Sequence, residues 1–589
     1  MVGIANLRQW ITLLRQHNEI VDIYHEVDSH LEIAEIHRRI AEQNGPALLF
    51  HNVKNSSFPV VTNLFGSYKR VQLAFPSDLE EWLAKFIDLI TKNPPNLTSF
   101  WKGRSLFSRL MNIGTRKRWT KAPVMETLQS PTDLCKLPLL QLWPEDGGHF
   151  ITLPLVYTEP VNGGPPNLGM YRIQRYNADT TGIHWQIGKG GGFHYYQAEQ
   201  QNRPLPVNIS IGGPPALILS AIMPLPENVP EILLAGLLQD GKLTTSSSPF
   251  NNYPIFSECE FTLVGYVKPK ERQLEGPFGD HYGYYSLAHD FPVFHCQAVY
   301  HRKDAIYPAT VVGKPRQEDY YLGNYLQKLL SPLFPVVMPG VKDLWSYGET
   351  GFHSLGAAIV RERYYRESMA SAFRILGEGQ LALTKFLMLT DQTVNLENFK
   401  ELLTIILERF RPETDLFIFA NLSLDTLDYT GPELNKGSRG VMLGCGDPIR
   451  KLPIEYTEGQ PSRLIKEIAP FSPGCLVLSV NHKDITDKEM QQILQYPQFN
   501  QWPLLVLVDS VEETVASEAS FLWTVFTRFE PAADIYARET TIYRHHLSYK
   551  GPILIDARMK PSYPAVVACD SETDALVSKN WNLYFSKQK

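Results

Sequence analysis

Between about Cys135 and Tyr320 the chain is written in short β-type runs, each cut off by glycine and proline. They include Ile151-Thr-Leu-Pro-Leu-Val-Tyr157, Val207-Asn-Ile-Ser-Ile211, Phe261-Thr-Leu-Val-Gly-Tyr-Val267 and Val293-Phe-His-Cys-Gln-Ala-Val299. β-branched and aromatic side chains suit a pleated, half-buried surface, and Gly and Pro end each run before it can lengthen. The pattern predicts a barrel-like β domain with inserted helices.

The flanks read differently. Leu7, Trp10, Ile11 and Leu14 recur at helical spacing, as do Leu31, Ile33, Ala34, Ile36 and Ile40, while 46–50 and 59–62 read as short strands. Ser77 and Glu80 form a capping-box pattern ahead of a helix through Ile90. Between 101 and 121, seven basic residues (Lys102, Arg104, Arg109, Arg116, Lys117, Arg118, Lys121) alternate with Trp101, Leu106, Phe107, Leu110, Met111 and Trp119. A solvated connecting face is favoured there over a membrane-surface contact. Asp319 can cap a helix that ends in the breakers Pro332, Pro335, Pro339 and Gly340, so 319–351 reads as a linker. Further on there is an internal echo: Lys385–Asp391 followed by Glu408-Arg-Phe-Arg-Pro412, then Leu504–Asp509 followed by Thr527-Arg-Phe-Glu-Pro531. Each unit reads as buried strand, helix and return strand, giving an α/β domain whose expected role is assembly or closure.

A chain of 589 residues exceeds one core and implies several domains. The boundaries drawn are 1–125, 126–318, 319–351 and 352–589, a mixed α+β and α/β multidomain fold. A net charge of -6 from 56 basic and 62 acidic residues gives no reason to expect a nucleic-acid partner. The six cysteines, at 135, 259, 296, 445, 475 and 569, form no Cys-x-x-Cys pair, which argues against a zinc knuckle or disulfide framework and for a reducing cytosol. Without an apolar signal core or a span-length apolar run, the protein is expected to stay in the cytoplasm.

Two stretches carry chemistry. Asn167-Leu168-Gly169-Met170-Tyr171-Arg172 gathers an amide, a glycine and a guanidinium; Glu275-Gly-Pro-Phe-Gly-Asp-His281 sets two carboxylates around a tight loop. Arg172 offers a planar, permanently charged fork for a carboxylate or phosphate, Glu275 can pair with it, and Asp280 can move a proton. Alone, such residues read as ion pairs and turn chemistry. Asn167 and Glu231 add hard oxygen donors of the kind Mg²⁺ or Mn²⁺ prefers, and Gly188-Lys189-Gly190-Gly191-Gly192 a backbone-rich basic loop able to approach a phosphate.

Over most of its length the sequence resembles the UbiD-type decarboxylases that use prenylated FMN. The resemblance is carried by 44–53, Asn63-Leu-Phe-Gly66, Leu142-Trp-Pro-Glu-Asp146, Asn167–Arg172, His184-Trp-Gln-Ile187, Met223-Pro-Leu-Pro-Glu227, Glu275–His281 and 308–315. It implies an N-terminal α/β region, a split β-barrel holding the flavin, a helical connector and a C-terminal domain used for homo-oligomerisation. Asn167 and Glu231 match the family's metal ligands for Mn²⁺ or Mg²⁺, with K⁺ as a further ion. Met170, Tyr171, Arg172, His184, Trp185, Gln186, Lys189 and Gly190 match its cofactor contacts, and Arg172, Glu275 and Asp280 its catalytic trio.

One position departs from the family: Gly188 stands where relatives commonly carry a histidine, leaving the third metal contact to water, His184 or His194. Arg439 and Lys550 are alternative counterparts of a phosphate-contacting lysine. The implied activity is reversible non-oxidative decarboxylation of an aromatic acid in ubiquinone or menaquinone synthesis, with a flavin prenyltransferase as cofactor supplier. A polyprenylated substrate would make 101–121 a surface for the inner face of the cell membrane. The alternatives are a catalytically idle cofactor-binding or assembly protein, supported by Gly188, and a flavin oxidoreductase, disfavoured because no Gly-x-Gly-x-x-Gly follows a strand.

Overall fold

Helix Leu7–Gln16 begins where the Asn6 side chain accepts the N–H of Gln9, and it buries Leu7, Trp10, Ile11 and Leu14, the apolar stripe its spacing predicts. The computed structural model describes residues 3–92, 106, 109–111, 113–185, 190–223, 230–314, 316–459, 462–482 and 484–586. Contacts divide the chain into two units, Met1–Leu329 with Ala565–Lys589, and Leu330–Pro564. The last residues thus belong with the N-terminal part rather than with those that precede them. The reason is local: in helix Ser571–Tyr584, Tyr584 Oη donates to Glu32 at 2.6 Å, and Asp574 pairs with Arg39 at 2.7 Å.

The first unit opens with a four-stranded sheet, Ile20–Ile23, Ala47–Phe50, Val60–Thr62 and Tyr307–Pro308, beside helix Glu32–Glu42. Helix Leu79–Lys92 starts one residue later than the capping pattern suggests, so Asp78 rather than Ser77 precedes it. Helix Glu318–Leu330 starts two residues earlier than expected, which puts Asp319 in its first turn instead of at its cap.

The heart of the unit is an antiparallel sheet in the order Thr180–Gly182, His289–His301, Phe261–Glu275, Leu205–Ile211, Leu155–Thr158 and Asn167–Gly169, with Thr127–Gln129 also pairing with His289–His301. The two long central strands pair from Phe261–His301 to Glu275–His289, across two register shifts. Strand Leu205–Ile211 is buried at all but one position, and its two buried polar side chains are hydrogen-bonded, Asn208 to Pro254 O and Ser210 to Thr262. The sheet ends set the site: Asn167, Arg172 and His184 lie at or just beyond strand ends, and Glu275 closes the longest strand.

The second unit holds two five-stranded sheets. Its first sheet runs Val341–Ser346, Leu355–Val360, Phe386–Thr390, Lys436–Gly444, Leu416–Ser423; its second runs Ile465–Ser472, Cys475–Val480, Leu504–Leu507, His546–Asp556, Ile535–Tyr543. Parallel and antiparallel pairings follow in the same sequence in both. Even the turns match: Asp415 accepts the N–H of Arg411 at 2.8 Å, and Asp534 that of Glu530 at 2.7 Å. Phe399 of the first repeat lies against Phe521 and Phe526 of the second, so one aromatic core serves both.

Candidate active site

Three elements converge on Arg172. It follows strand Asn167–Gly169 in the loop before Ile173–Gln174, a strand fixed by pairing with Phe150–Ile151. Glu275 ends the long strand, and the loop after it turns at Gly276, whose φ of +93° is one that side-chain-bearing residues avoid. The hairpin of Phe278–Gly279 with Tyr285–Ser286 then carries Asp280 and Ser286 back to the same point. Gly279 is obligatory because a Cβ there would lie 2.0 Å from the Trp143 ring.

The guanidinium is fully engaged. Nε donates to Glu275 Oε1 at 2.9 Å, Nη2 to Glu275 Oε2 at 3.0 Å and to Ser286 Oγ at 2.9 Å, and Nη1 to Asp280 Oδ2. The Phe278 ring sits 4.8 Å from its central carbon. His184 Nδ1 meets Glu275 Oε2 at 3.1 Å, and His281 Nδ1 meets Asp280 Oδ1 at 2.6 Å. Side-chain exposures of 8% for Arg172, 0% for Glu275 and 10% for Asp280 put the charges out of bulk water. The catalytic trio expected from sequence is therefore one cluster.

Burial alone would raise both carboxyls, but their partners outweigh it. The Arg172 charge and the His184 hydrogen bond bring Glu275 down to about 2. The hydrogen bond from His281 and the Arg172 charge hold Asp280 well below the ordinary carboxylate range. His184 moves the other way, since burial and then Arg172 disfavour its cationic form. The cluster thus holds two carboxylates, one guanidinium and a neutral His184.

A second cluster lies at the start of the same motif. Asn167 Nδ2 donates to Glu231 Oε1 at 3.1 Å, the Leu168 N–H to Glu231 Oε2 at 2.9 Å, and Tyr171 Oη to Asn167 Oδ1 at 3.0 Å. Glu231 opens helix Glu231–Gln239, and burial raises its carboxyl. Gly191, in the first turn of helix Gly190–Gln200, donates its N–H to Tyr171 Oη at 3.2 Å. A Cβ on Gly190 would meet Asn167 at 2.6 Å, and one on Gly191 the Trp185 ring at 2.7 Å, so this helix start fits only as glycine. Met170 is half-buried between the two clusters.

Gln186, Gly188 and Lys189 lie outside the described residues. Of the stand-ins expected for a histidine at 188, His184 has its Nδ1 on Glu275, and His194 its Nδ1 on Thr158 Oγ1 at 2.9 Å. Among the described residues no group of three His, Cys, Asp or Glu could hold a metal. Arg439 bonds to Ser423, and Lys550 to Glu539, within the second unit. In the basic stretch, Trp101, Lys102, Arg104 and Phe107 are outside the described residues. Arg109 departs from the solvated-face reading, being buried 5.5 Å from the Trp82 ring centroid, whereas Trp119 is 94% exposed.

Sequence reasoning missed the residues that brace the loop. Asp146 accepts the N–H groups of Leu142, Trp143 and Gly279, while Gln174 accepts that of Gly276 and donates to Gly147 O. Asp146 stands in the Trp-Pro-Glu-Asp motif, where a proline turn ending in Asp was the available signal. Ser286 and Gln174 carried none.

Comparison with known proteins gives the family. Residues 11–90, 115–315 and 320–444 match the N-terminal, Rift-related and C-terminal domains of 3-octaprenyl-4-hydroxybenzoate carboxy-lyase. A relative from Chlamydia pneumoniae, named as one component of a 4-hydroxybenzoate decarboxylase, is 52% identical over 99% of each chain. Among solved structures, vanillic acid decarboxylase of Sedimentibacter hydroxybenzoicus in closed form aligns with a TM-score of 0.66 at 24% identity, over 78% of this chain and 96% of that one. An evolved dimeric form of the UbiD-class enzyme HmfF from Pelotomaculum thermopropionicum, in complex with prFMN, aligns with a TM-score of 0.61 at 22% identity, over 75% and 95%. The chain belongs to the UbiD family.

Proposed function

We propose that the protein is a prenylated-FMN-dependent carboxy-lyase that reversibly removes CO₂ from an aromatic carboxylic acid. The buried Arg172, Glu275 and Asp280 cluster carries the reading. Losing CO₂ from an aromatic ring leaves an electron pair in an sp² orbital that side chains cannot delocalise; prenylated FMN supplies that electron sink when bound.

The residues present fit such a cofactor. His184 Nε2 and Trp185 Nε1 are buried with no partner among the described residues, so two polar atoms await a ligand beside the cluster. Tyr171, Arg172, His184, Trp185 and Gly190, with Met170, Gln186 and Lys189, would hold the flavin. Asn167 and Glu231 supply two hard oxygens for Mn²⁺ or Mg²⁺, and the helix start at Gly190 an electropositive end for a phosphate. With two protein ligands only, a bound metal would need phosphate or water oxygens to complete its shell.

The chain's own residues account for the proton. Both carboxylates face the Arg172 guanidinium, so a substrate carboxylate that binds it competes with Asp280. Asp280 freed from Arg172 and beside a second anion gains proton affinity, and becomes the acid that delivers H⁺ to the carbon CO₂ has left. Glu275, held by both Arg172 and His184, keeps the guanidinium in place throughout.

The 4-hydroxybenzoate class is the favoured substrate, supported by the Chlamydia pneumoniae relative's name, and quinone synthesis the favoured setting. A flavin prenyltransferase would supply the cofactor, in the cytoplasm, to a homo-oligomer. Exposed Trp119 with exposed Arg116 and Lys117 supports a peripheral membrane contact for a prenylated substrate. Co-expression with a flavin prenyltransferase, followed by absorption spectra and CO₂ measurement with 4-hydroxybenzoate and related acids, tests the reading. A loaded protein that neither releases CO₂ nor exchanges labelled bicarbonate into any of these acids would overturn it.

A further inference from the structure

Building on the decarboxylase reading, we infer that His281 is the proton relay that recharges Asp280 from solvent, a positioning and relay residue rather than one that touches substrate. Asp280 has two sides. Oδ2 faces Arg172, and Oδ1 receives both the backbone N–H of His281 at 2.7 Å and its ring Nδ1 at 2.6 Å. Each turnover consumes one proton from Asp280, so something must return it.

The neighbours can be taken in turn. Arg172 does not deprotonate in a protein. Glu275 is fully buried and held ionised by Arg172 and His184, and His184 has a 7% exposed side chain committed to Glu275. The His281 side chain is 27% exposed and in direct contact with the carboxylate. Of these groups around Asp280, it alone joins the acid to water.

The other groups that act on His281 fit this task. Asp319, in the first turn of helix Glu318–Leu330, acts through space on both His281 and Asp280; burial raises its carboxyl, and in its ionised form it favours a proton on the imidazole. The Tyr282 ring packs edge-on at 5.1 Å and limits the imidazole's swing. Arg172 lies across Asp280 from it.

The step balances without redox chemistry. As the C–CO₂ bond breaks, Asp280 O–H gives its proton to the carbon. Nε2 of the neutral Nδ1–H ring takes a proton from water, and the imidazolium so formed passes its Nδ1–H proton to Oδ1; the Nε2–H ring left behind returns to the Nδ1–H tautomer by proton exchange with water. In the carboxylating direction the same steps run backwards.

The test uses the flavin-loaded protein, comparing wild type with H281A and H281N. The asparagine amide can place a donor where Nδ1 stood but carries no titrating proton, so it separates positioning from relay. Both variants are expected to lose about 100-fold in kcat, within the range of general acid catalysis, with KM little changed. Both are also expected to lose the alkaline limb of the kcat profile, where the imidazole gives up its proton. Added imidazole should restore H281A and not H281N.

A second measurement needs no turnover. In the substrate-free protein, ¹⁵N-histidine NMR should show a proton on His281 Nδ1, hydrogen-bonded far downfield, and D280N should abolish that signal. Wild-type kcat and pH profile in H281N, or H281A beyond rescue with the alkaline limb intact, would overturn the relay, as would an Nδ1 signal indifferent to D280N. If wild type releases no CO₂, the decarboxylase reading fails by itself, and the NMR pair still decides whether His281 and Asp280 share the proton.

Discussion

Glu275 is the residue whose removal has the most calculable effect. Glu275→Gln keeps the shape and deletes the charge, in a position with no exposed side-chain surface and with Arg172 and His184 both bound to it. Its carboxyl is lowered from 4.5 to about 2. A gap of that size is linked to about 3 kcal/mol of folding stability, in line with the ~3–5 kcal/mol cost of stranding one member of a buried pair.

The sign follows from the direction of the shift. A depressed acid stabilises the fold above its unfolded value near 4.5, and the contribution is lost as pH falls toward 2. For a folding unit of about 350 residues, ~3 kcal/mol corresponds to a melting midpoint lower by about 4 °C. Differential scanning fluorimetry of wild type and E275Q from pH 7 to pH 3 checks this. The gap should be full at pH 7 and less than half that size at pH 3. Equal midpoints at pH 7, or a gap that widens in acid, would refute the reasoning.

Other outcomes follow from the same geometry. Glu231→Gln and Asn167→Ala should weaken retention of flavin and of Mn²⁺ together, read by cofactor absorbance and metal analysis after gel filtration, while leaving the Arg172 cluster and its acid dependence intact. In the second unit, Lys385 pairs with Asp428 at 2.7 Å with both side chains nearly inaccessible. Lys385→Met should therefore cost ~3–5 kcal/mol by leaving Asp428 buried and unpaired. Adding Asp428→Asn should recover part of that loss in a urea-unfolding cycle.

What the sequence made legible was what repeats or clusters. The N-terminal helices showed because their apolar residues recur at 3.6-residue spacing, and the duplication of the second unit because Arg-Phe-x-Pro recurs after each apolar strand. The trio was found because its residues sit in two dense motifs. The bracing of that trio was not legible. Asp146, Gln174 and Ser286 are lone polar side chains, and nothing periodic marks one that will meet Gly279, Gly276 or Arg172 more than a hundred residues away. The return of 565–589 to the first unit escaped for a similar reason, since one helix with an ordinary amphipathic face does not declare which core it joins.

If a guanidinium and an acid in one buried pocket drive CO₂ loss, Asp280→Asn is the sharpest probe of it. Wild type and D280N, both loaded with prenylated FMN to the same absorbance, would be given 4-hydroxybenzoate and its relatives while CO₂ is measured. Release by wild type and at least a ~100-fold loss in D280N, with flavin still bound, is the expected outcome. Equal release by the two proteins would remove Asp280 from the reaction and the proposed chemistry with it.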